Sequence, residues 1–204
     1  MNDGLNRRQF SALLATGLLM PGLSLAADEP RPVGDVRKAF GDVFARAAQQ
    51  RSLQAGADVL LGDMVWTRAA SRAELAMEGG SSIFLGPRAK LRIDRFVAAS
   101  GGKLVLGDGA LVFDRDDTLP KTDIQVRSVF GLIGVRGTRF FAGPNRGAFA
   151  IFCERGEVHV RAAGRTRVLM PGDGVDIKAP GAAPGKVKQW GKARIDEAFD
   201  SVLG

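Results

Sequence analysis

Apolar and polar residues alternate in short runs along most of this 204-residue chain. Met64 to Thr67, Arg72 to Met77, Ser82 to Leu85, Lys90 to Phe96, Lys103 to Leu106 and Ala110 to Phe113 approach the period of two that half-buried strands require. The series continues through Asp123 to Val129, Leu132 to Val135, Thr138 to Ala142, Ala148 to Cys153, Val158 to Arg161 and Arg167 to Met170. Gly-Asp pairs at 34–35, 41–42, 62–63, 107–108 and 172–173 punctuate them, because glycine reaches φ angles other residues avoid and aspartate bonds to nearby backbone. Val36, Phe40, Phe44 and Ala47 fall at helical spacing, but Gly41-Asp42 interrupts them, so strands are expected there too. The pattern predicts an all-β domain of many short strands over residues 33–178, β-solenoid-like or two-sheet, with a closed barrel as the rival architecture.

Both ends break the alternation. Pro180 to Gly185 is made of Pro, Gly and Ala and reads as a loop, after which Ile195, Phe199 and Val202 recur at i, i+4 and i+7. Residues 179–204 are therefore expected to be a linker and a short amphipathic C-terminal α-helix docked on the domain. In residues 1–26, Arg7-Arg8 precede an apolar run that ends in small residues, the layout of an export signal. Arg7-Arg8-Gln9-Phe10 fits the twin-arginine pattern, and Ser11, Thr16, Gly17 and Ser24 dilute the run as that route favours. Ser24 and Ala26 suit a signal peptidase, so cleavage is expected after Ala26, while Pro21 and Gly22 argue against a retained membrane anchor. The mature chain is expected in the periplasm, without stable membrane insertion.

About 178 residues remain after cleavage, enough for one domain with a real core. Cys153 is the only cysteine and cannot close an intramolecular disulfide, so it reads as a small buried residue of its strand. His159, the only histidine, alternates with Val158 and Val160 and belongs on the polar face of a strand. Zinc or copper needs several nitrogen or sulfur ligands that this chain cannot assemble, so no metal and no cofactor are expected. Without a Ser-His-Asp set, a phosphate-cradling glycine loop or a Cys-x-x-Cys pair, the chain is not expected to be an enzyme. The net charge is +7, of which Arg7, Arg8 and Asp3 in the signal contribute +1, leaving +6 for the mature chain. Such a charge attracts anionic surfaces and polymers, or simply keeps the surface solvated. The export signal points away from nucleic acid as the partner.

The densest motif is Ile133-Gly134-Val135-Arg136-Gly137-Thr138-Arg139-Phe140-Phe141, read as strand, tight bend, strand. It resembles the VRGTxF core of the FecR domain family. Gly62-Asp63-Met64-Val65-Trp66-Thr67 is similar to that family's GDxVxT step, and Gly80 to Pro87 to its DGSxxxLGP element, with glycine at position 79 or 80 where the family usually has an aspartate. Gly34-Asp35-Val36, Leu104 to Phe113, Gly156-Glu157-Val158 and Leu169 to Gly172 complete the order. The resemblance implies an exported, β-rich module that serves signalling and binding. Membrane-bound relatives couple an outer-membrane receptor to a cytoplasmic anti-sigma segment, and the expectation here is a stand-alone domain without that segment.

Arg136 and Arg139 flank the Gly137-Thr138 step and are the candidate partner-binding residues, each able to present a guanidinium to a carboxylate or phosphate. The competing reading is an internal ion pair with Asp94, Asp114 or Glu154. Gly134, Val135, Gly137, Thr138 and Phe140 are read as the structural part of the motif. Trp66 is expected in the core, and Trp190 is expected to pin the last helix to the sheet. The partners implied are an envelope protein or an anionic envelope component, lipopolysaccharide or cell-wall glycan, and exposed strand edges leave a homodimer open.

Overall fold

A computed structural model describes residues 31–97 and 101–204. The export signal read at residues 1–26 lies outside the described residues. In chain order the strands are β1 (Pro32–Phe40), β2 (Val43–Arg46), β3 (Gln50–Ser52), β4 (Asp58–Leu60), β5 (Met64–Thr67), β6 (Arg72–Met77), β7 (Ser81–Leu85) and β8 (Lys90–Val97). There follow β9 (Gly101–Asp108), β10 (Leu111–Arg115), β11 (Asp123–Ser128), β12 (Gly131–Asn145), β13 (Ala148–Ala162), β14 (Arg165–Leu169), β15 (Asp173–Ile177) and β16 (Lys188–Gln189). The chain closes with α1 (Lys192–Leu203).

Among the described residues all the strands join one hydrogen-bonded sheet, and no pairing links its β3 and β4 ends, so the sheet curls without closing into a barrel. The fold is all-β with one short C-terminal helix, as the alternation predicts. Two half-sheets share the long hairpin β12–β13. Arg136 and earlier residues of β12 pair with β11, whereas Arg139 to Ala142 pair with β10. β13 divides likewise, with Phe149 to Phe152 on β15 and Val158 to Ala162 on β14. The first half-sheet thus runs β3-β2-β5-β8-β9-β11-β12-β13-β14, and the second carries β10-β7-β6-β1-β4 on one side of the hairpin and β15-β16 on the other.

The inner faces of both halves meet in one core. Val65, Leu91, Ile93, Leu104, Ile124 and Val158 come from the first half and Leu75, Ile83, Leu85, Phe113, Phe140 and Ile151 from the second. Strict alternation in β6 sends Ala73, Leu75 and Met77 inward. β8 departs from it where the register shifts between Ile93 and Arg95, leaving Asp94 and Arg95 outside in succession before Phe96 turns back to the core.

Several expectations need correction. The stretches Thr138 to Ala142 and Leu132 to Val135 are one continuous strand, as are Ala148 to Cys153 and Val158 to Arg161, because the glycines between them bulge the strand and do not reverse it. Strands β3, β4, β15 and β16 carry too few apolar residues, or too many glycines and charges, to show a period of two. Trp66 is half-buried on the outer face, stacked on Phe44 at 5.7 Å between centroids, since the inward positions of β5 belong to Val65 and Thr67. Trp190 does hold the final helix, stacking on Phe152 at 4.9 Å and lying under the Arg194 guanidinium at 3.8 Å.

A second apolar cluster fills the outer face of the second half-sheet. Val112, Phe141, Ala150 and Phe152 point outward there, and Ala198, Phe199 and Val202 of α1 cover them. The outer face of the first half-sheet has no such cover among the described residues.

Candidate functional site

The VRGTxF motif sits at the crease between the half-sheets. Arg136 faces Glu157 and Arg139 faces Arg155 across the hairpin, so Gly137 and Thr138 oppose Gly156 alone. That is a β-bulge, and it bends both strands where each changes partner. Gly137 has φ +62° and Gly156 φ +84°, a region that side chains with a Cβ avoid. Gly156 is the more constrained, because a Cβ there would overlap the Gly137 carbonyl oxygen and come within 2.6 Å of Thr138 Cγ2. At Gly137 a Cβ would meet only the flexible Lys121 side chain, at 3.0 Å.

Around the bulge each motif residue has a separate duty. Val135 and Phe140 point into the core, where Phe140 packs on Phe113 at 5.7 Å. Thr138 is fully buried. Gly134 lies opposite His159 on the outer face. Arg139 is drawn into an internal network: Nη1 donates to Asp114 Oδ2 at 2.6 Å, Nε contacts Glu154, and the guanidinium lies 5.5 Å from the Phe199 ring of α1. Asp114 also accepts from Arg155 Nη2 at 2.9 Å, and Arg155 Nε donates to Asp117 at 2.7 Å. Asp94 is not among the partners of Arg139; it pairs with Arg92. Arg136 differs. Its side chain is 70% exposed, and its nearest carboxylate is the equally exposed Asp123 at 3.7 Å. Such a contact contributes little in water and leaves guanidinium donors free for a partner.

The other family-like elements act as internal pegs. Asp63 is wholly buried and accepts from Arg51 Nη1 at 2.8 Å, Arg51 Nη2 at 2.5 Å and the Leu60 amide at 2.8 Å. Thr67 donates to the Gly86 carbonyl at 2.6 Å and accepts from the Ala89 amide at 2.9 Å, tying the GDxVxT step to the LGP turn. The buried Arg115 guanidinium donates to the carbonyls of Gly79 at 2.6 Å and Pro120 at 2.9 Å, and to Ser81 Oγ at 3.0 Å. Cys153 is buried with its thiol directed at the carbonyls of Arg155 and Gly156; burial, reinforced by the charge of Asp173, pushes its pKa up to about 11. It is a packing residue and not a nucleophile at neutral pH.

The outer face of the first half-sheet holds what sequence reasoning missed. An open groove of about 670 Å3 crosses β2, β5 and β8, lined by Trp66, Arg46, Arg68, Arg88 and Lys90, with Asp42 and Asp108 at its edges. Arg68 lies over the Phe44 ring at 5.9 Å. The signal for it was present, since Met64 and Trp66 occupy the outward positions of a strand whose flanking segments are rich in arginine. His159 is exposed and its Nε2 lies 2.5 Å from Glu157 on the same face. Among the described residues no group of three or more His, Cys, Asp or Glu is gathered as a metal ion would need, and no helix is long and apolar enough to cross a membrane.

A bulged hairpin shared by two half-sheets, with one outer face covered and the other bare and basic, defines the class of fold as an all-β domain. Residues 63–159 match the family model described as FecR protein. That match supports a regulatory or signalling module. Two crystal structures of a "putative anti-sigma factor" from Parabacteroides distasonis share the fold, each with a TM-score of 0.54 and 14% identity over 65% of this chain. The likeness spans 62% of those chains, and at such identity it speaks for the fold alone. None of the curated proteins matches this chain.

Proposed function

We propose that the chain is a non-enzymatic binding and signalling module of the periplasm, which recognises another envelope protein or an envelope component. The observation that carries the reading is the FecR domain at residues 63–159 with Arg136 turned outward at its crease, while the rest of the motif is consumed by the bulge and the core. Export rests on Arg7-Arg8 and the apolar run that follows them. Arg136 is placed where strain at the crease and occupancy by a partner meet, which suits a module that reports binding.

The test is Arg136→Ala. Its melting temperature should stay near that of the parent, since an exposed pair at 3.7 Å contributes little. Capture of the partner from a periplasmic extract should weaken by about 2 kcal/mol, roughly thirtyfold in affinity. Unfolding of the variant would assign Arg136 to the scaffold. Recovery of no protein, lipid or glycan above background by the parent protein would remove the reading.

A further inference from the structure

The strand register lines up one row of side chains across the bare outer face of the first half-sheet. Arg46 on β2 is opposite Met64 on β5, and Met64 is opposite Arg92 on β8. Arg92 is opposite Val105 on β9, and Val105 is opposite Arg127 on β11. Arg127 is opposite Leu132 on β12, and Leu132 is opposite Arg161 on β13. Arginine therefore recurs on every second strand with an apolar side chain between each pair. At ~4.8 Å per strand the guanidinium bearers stand about 10 Å apart over roughly 30 Å. All four arginines are exposed and all three apolar residues are half-buried. Arg92 pairs with Asp94 at 2.8 Å, whereas Arg46, Arg127 and Arg161 have no ion-pair partner among the described residues.

We propose that this row is a track for an acidic polysaccharide laid across the strands. The inference rests on the reading of the chain as a binding module and names what its outer face would hold. Guanidinium groups take up carboxylates or sulfates along the chain, and Met64, Val105 and Leu132 lie under the less polar faces of the sugar rings. The groove at the β2–β5 end adds Trp66, an aromatic face for a ring, beside Arg68, Arg88 and Lys90. A sparse, even row suits a sparsely charged linear polymer. Duplex nucleic acid carries one charge per ~1.7 Å of its axis, far denser than the row. A bilayer offers a plane of charge with no preference for a line.

The experiment measures binding of labelled oligogalacturonate and of a hyaluronan oligosaccharide, which carries one carboxylate per disaccharide, to the whole protein at low and high salt, with neutral dextran as control. Two charge-matched triple variants are compared: Arg46→Ala/Arg127→Ala/Arg161→Ala on the row, and Lys178→Ala/Lys186→Ala/Lys188→Ala away from it. The expected result is salt-sensitive binding of an acidic oligosaccharide that the row variant loses by about tenfold or more, with the lysine variant close to the parent. Equal loss in both variants would mean that net charge alone binds, and would overturn the proposal. So would no binding of either acidic probe at low salt, or tighter binding of phosphatidylglycerol vesicles or single-stranded DNA. If the row variant binds the acidic oligosaccharides as the parent does while Arg136→Ala still loses its partner, the track falls while the signalling reading stands.

Discussion

Gly156, outside the sequence motif, should matter more to stability than Gly137 inside it. Replacing Gly137 by alanine places a Cβ at φ +62°, which costs about 1 kcal/mol relative to glycine, and Lys121 can move aside. Replacing Gly156 carries the same conformational cost at φ +84° and adds overlap with the backbone of Gly137 and with Thr138. Overpacking against atoms that cannot move costs a further ~1–3 kcal/mol, so Gly156→Ala should lose about 3 kcal/mol in all. For a protein of this size that corresponds to a fall of roughly 6–12 °C in melting temperature. Urea unfolding followed by tryptophan fluorescence measures both variants. Thr138→Ser removes the Cγ2 that would lie 2.6 Å from the new Cβ, so it should recover part of the loss in a double-mutant cycle. Equal costs at the two glycines, or no coupling between Thr138 and Gly156, would refute the view that close backbone approach decides the crease.

Asp63→Asn should destabilise the domain by about 2–4 kcal/mol, because it leaves Arg51 facing a neutral amide that cannot accept both guanidinium bonds; denaturant melts check it. Phe199→Ala should cost about 3 kcal/mol and loosen α1, since the ring packs on Phe141 and Phe152 and under Arg139; a red shift of Trp190 fluorescence in the folded protein would report it. Cys153 should resist a thiol-specific disulfide reagent at pH 8 until the protein is unfolded. Its pKa rises from 9.0 to about 11 on folding, so the stability it contributes is complete below pH 9 and is lost as pH rises toward 11. A stability-pH profile that loses this alkaline fall in Cys153→Ala, and keeps it in the parent, is the expected outcome.

Strands whose inward positions are consistently apolar were legible from the sequence. β5 and β6 fall on the stretches their alternation marks, residue for residue, because each buries one face and exposes the other. The crease was legible as an anomaly but not as a bulge, since a glycine beside β-branched residues fits either a turn or a bent strand. What decides between them is Gly156, some twenty residues away, and no local pattern connects the two. Arg139 and Arg136 look alike in the sequence, three residues apart. They separate only when the fold brings Asp114 and Glu154 to one and leaves the other with Asp123 at 3.7 Å. The arginine row was invisible for a related reason. Its members lie on separate strands, and one of the pairings that aligns them, β9 on β11, is parallel, a register that sequence periodicity does not encode.

The two outer faces explain each other. Where outward positions are apolar, as at Val112, Phe141 and Phe152, the domain needs a cover, and α1 supplies it with Ala198, Phe199 and Val202. Where outward positions alternate cation and aliphatic, water solvates the charges and no cover is required for folding. Solubility alone would be met by mixed charges in any arrangement, with acids interspersed among bases. A register that sets arginine on every second strand, three of the four without a carboxylate within pairing distance among the described residues, is more specific than solubility demands. The crease ties this face to Arg136, which lies on the same half-sheet and one step from the bulge that joins it to the helix-covered half.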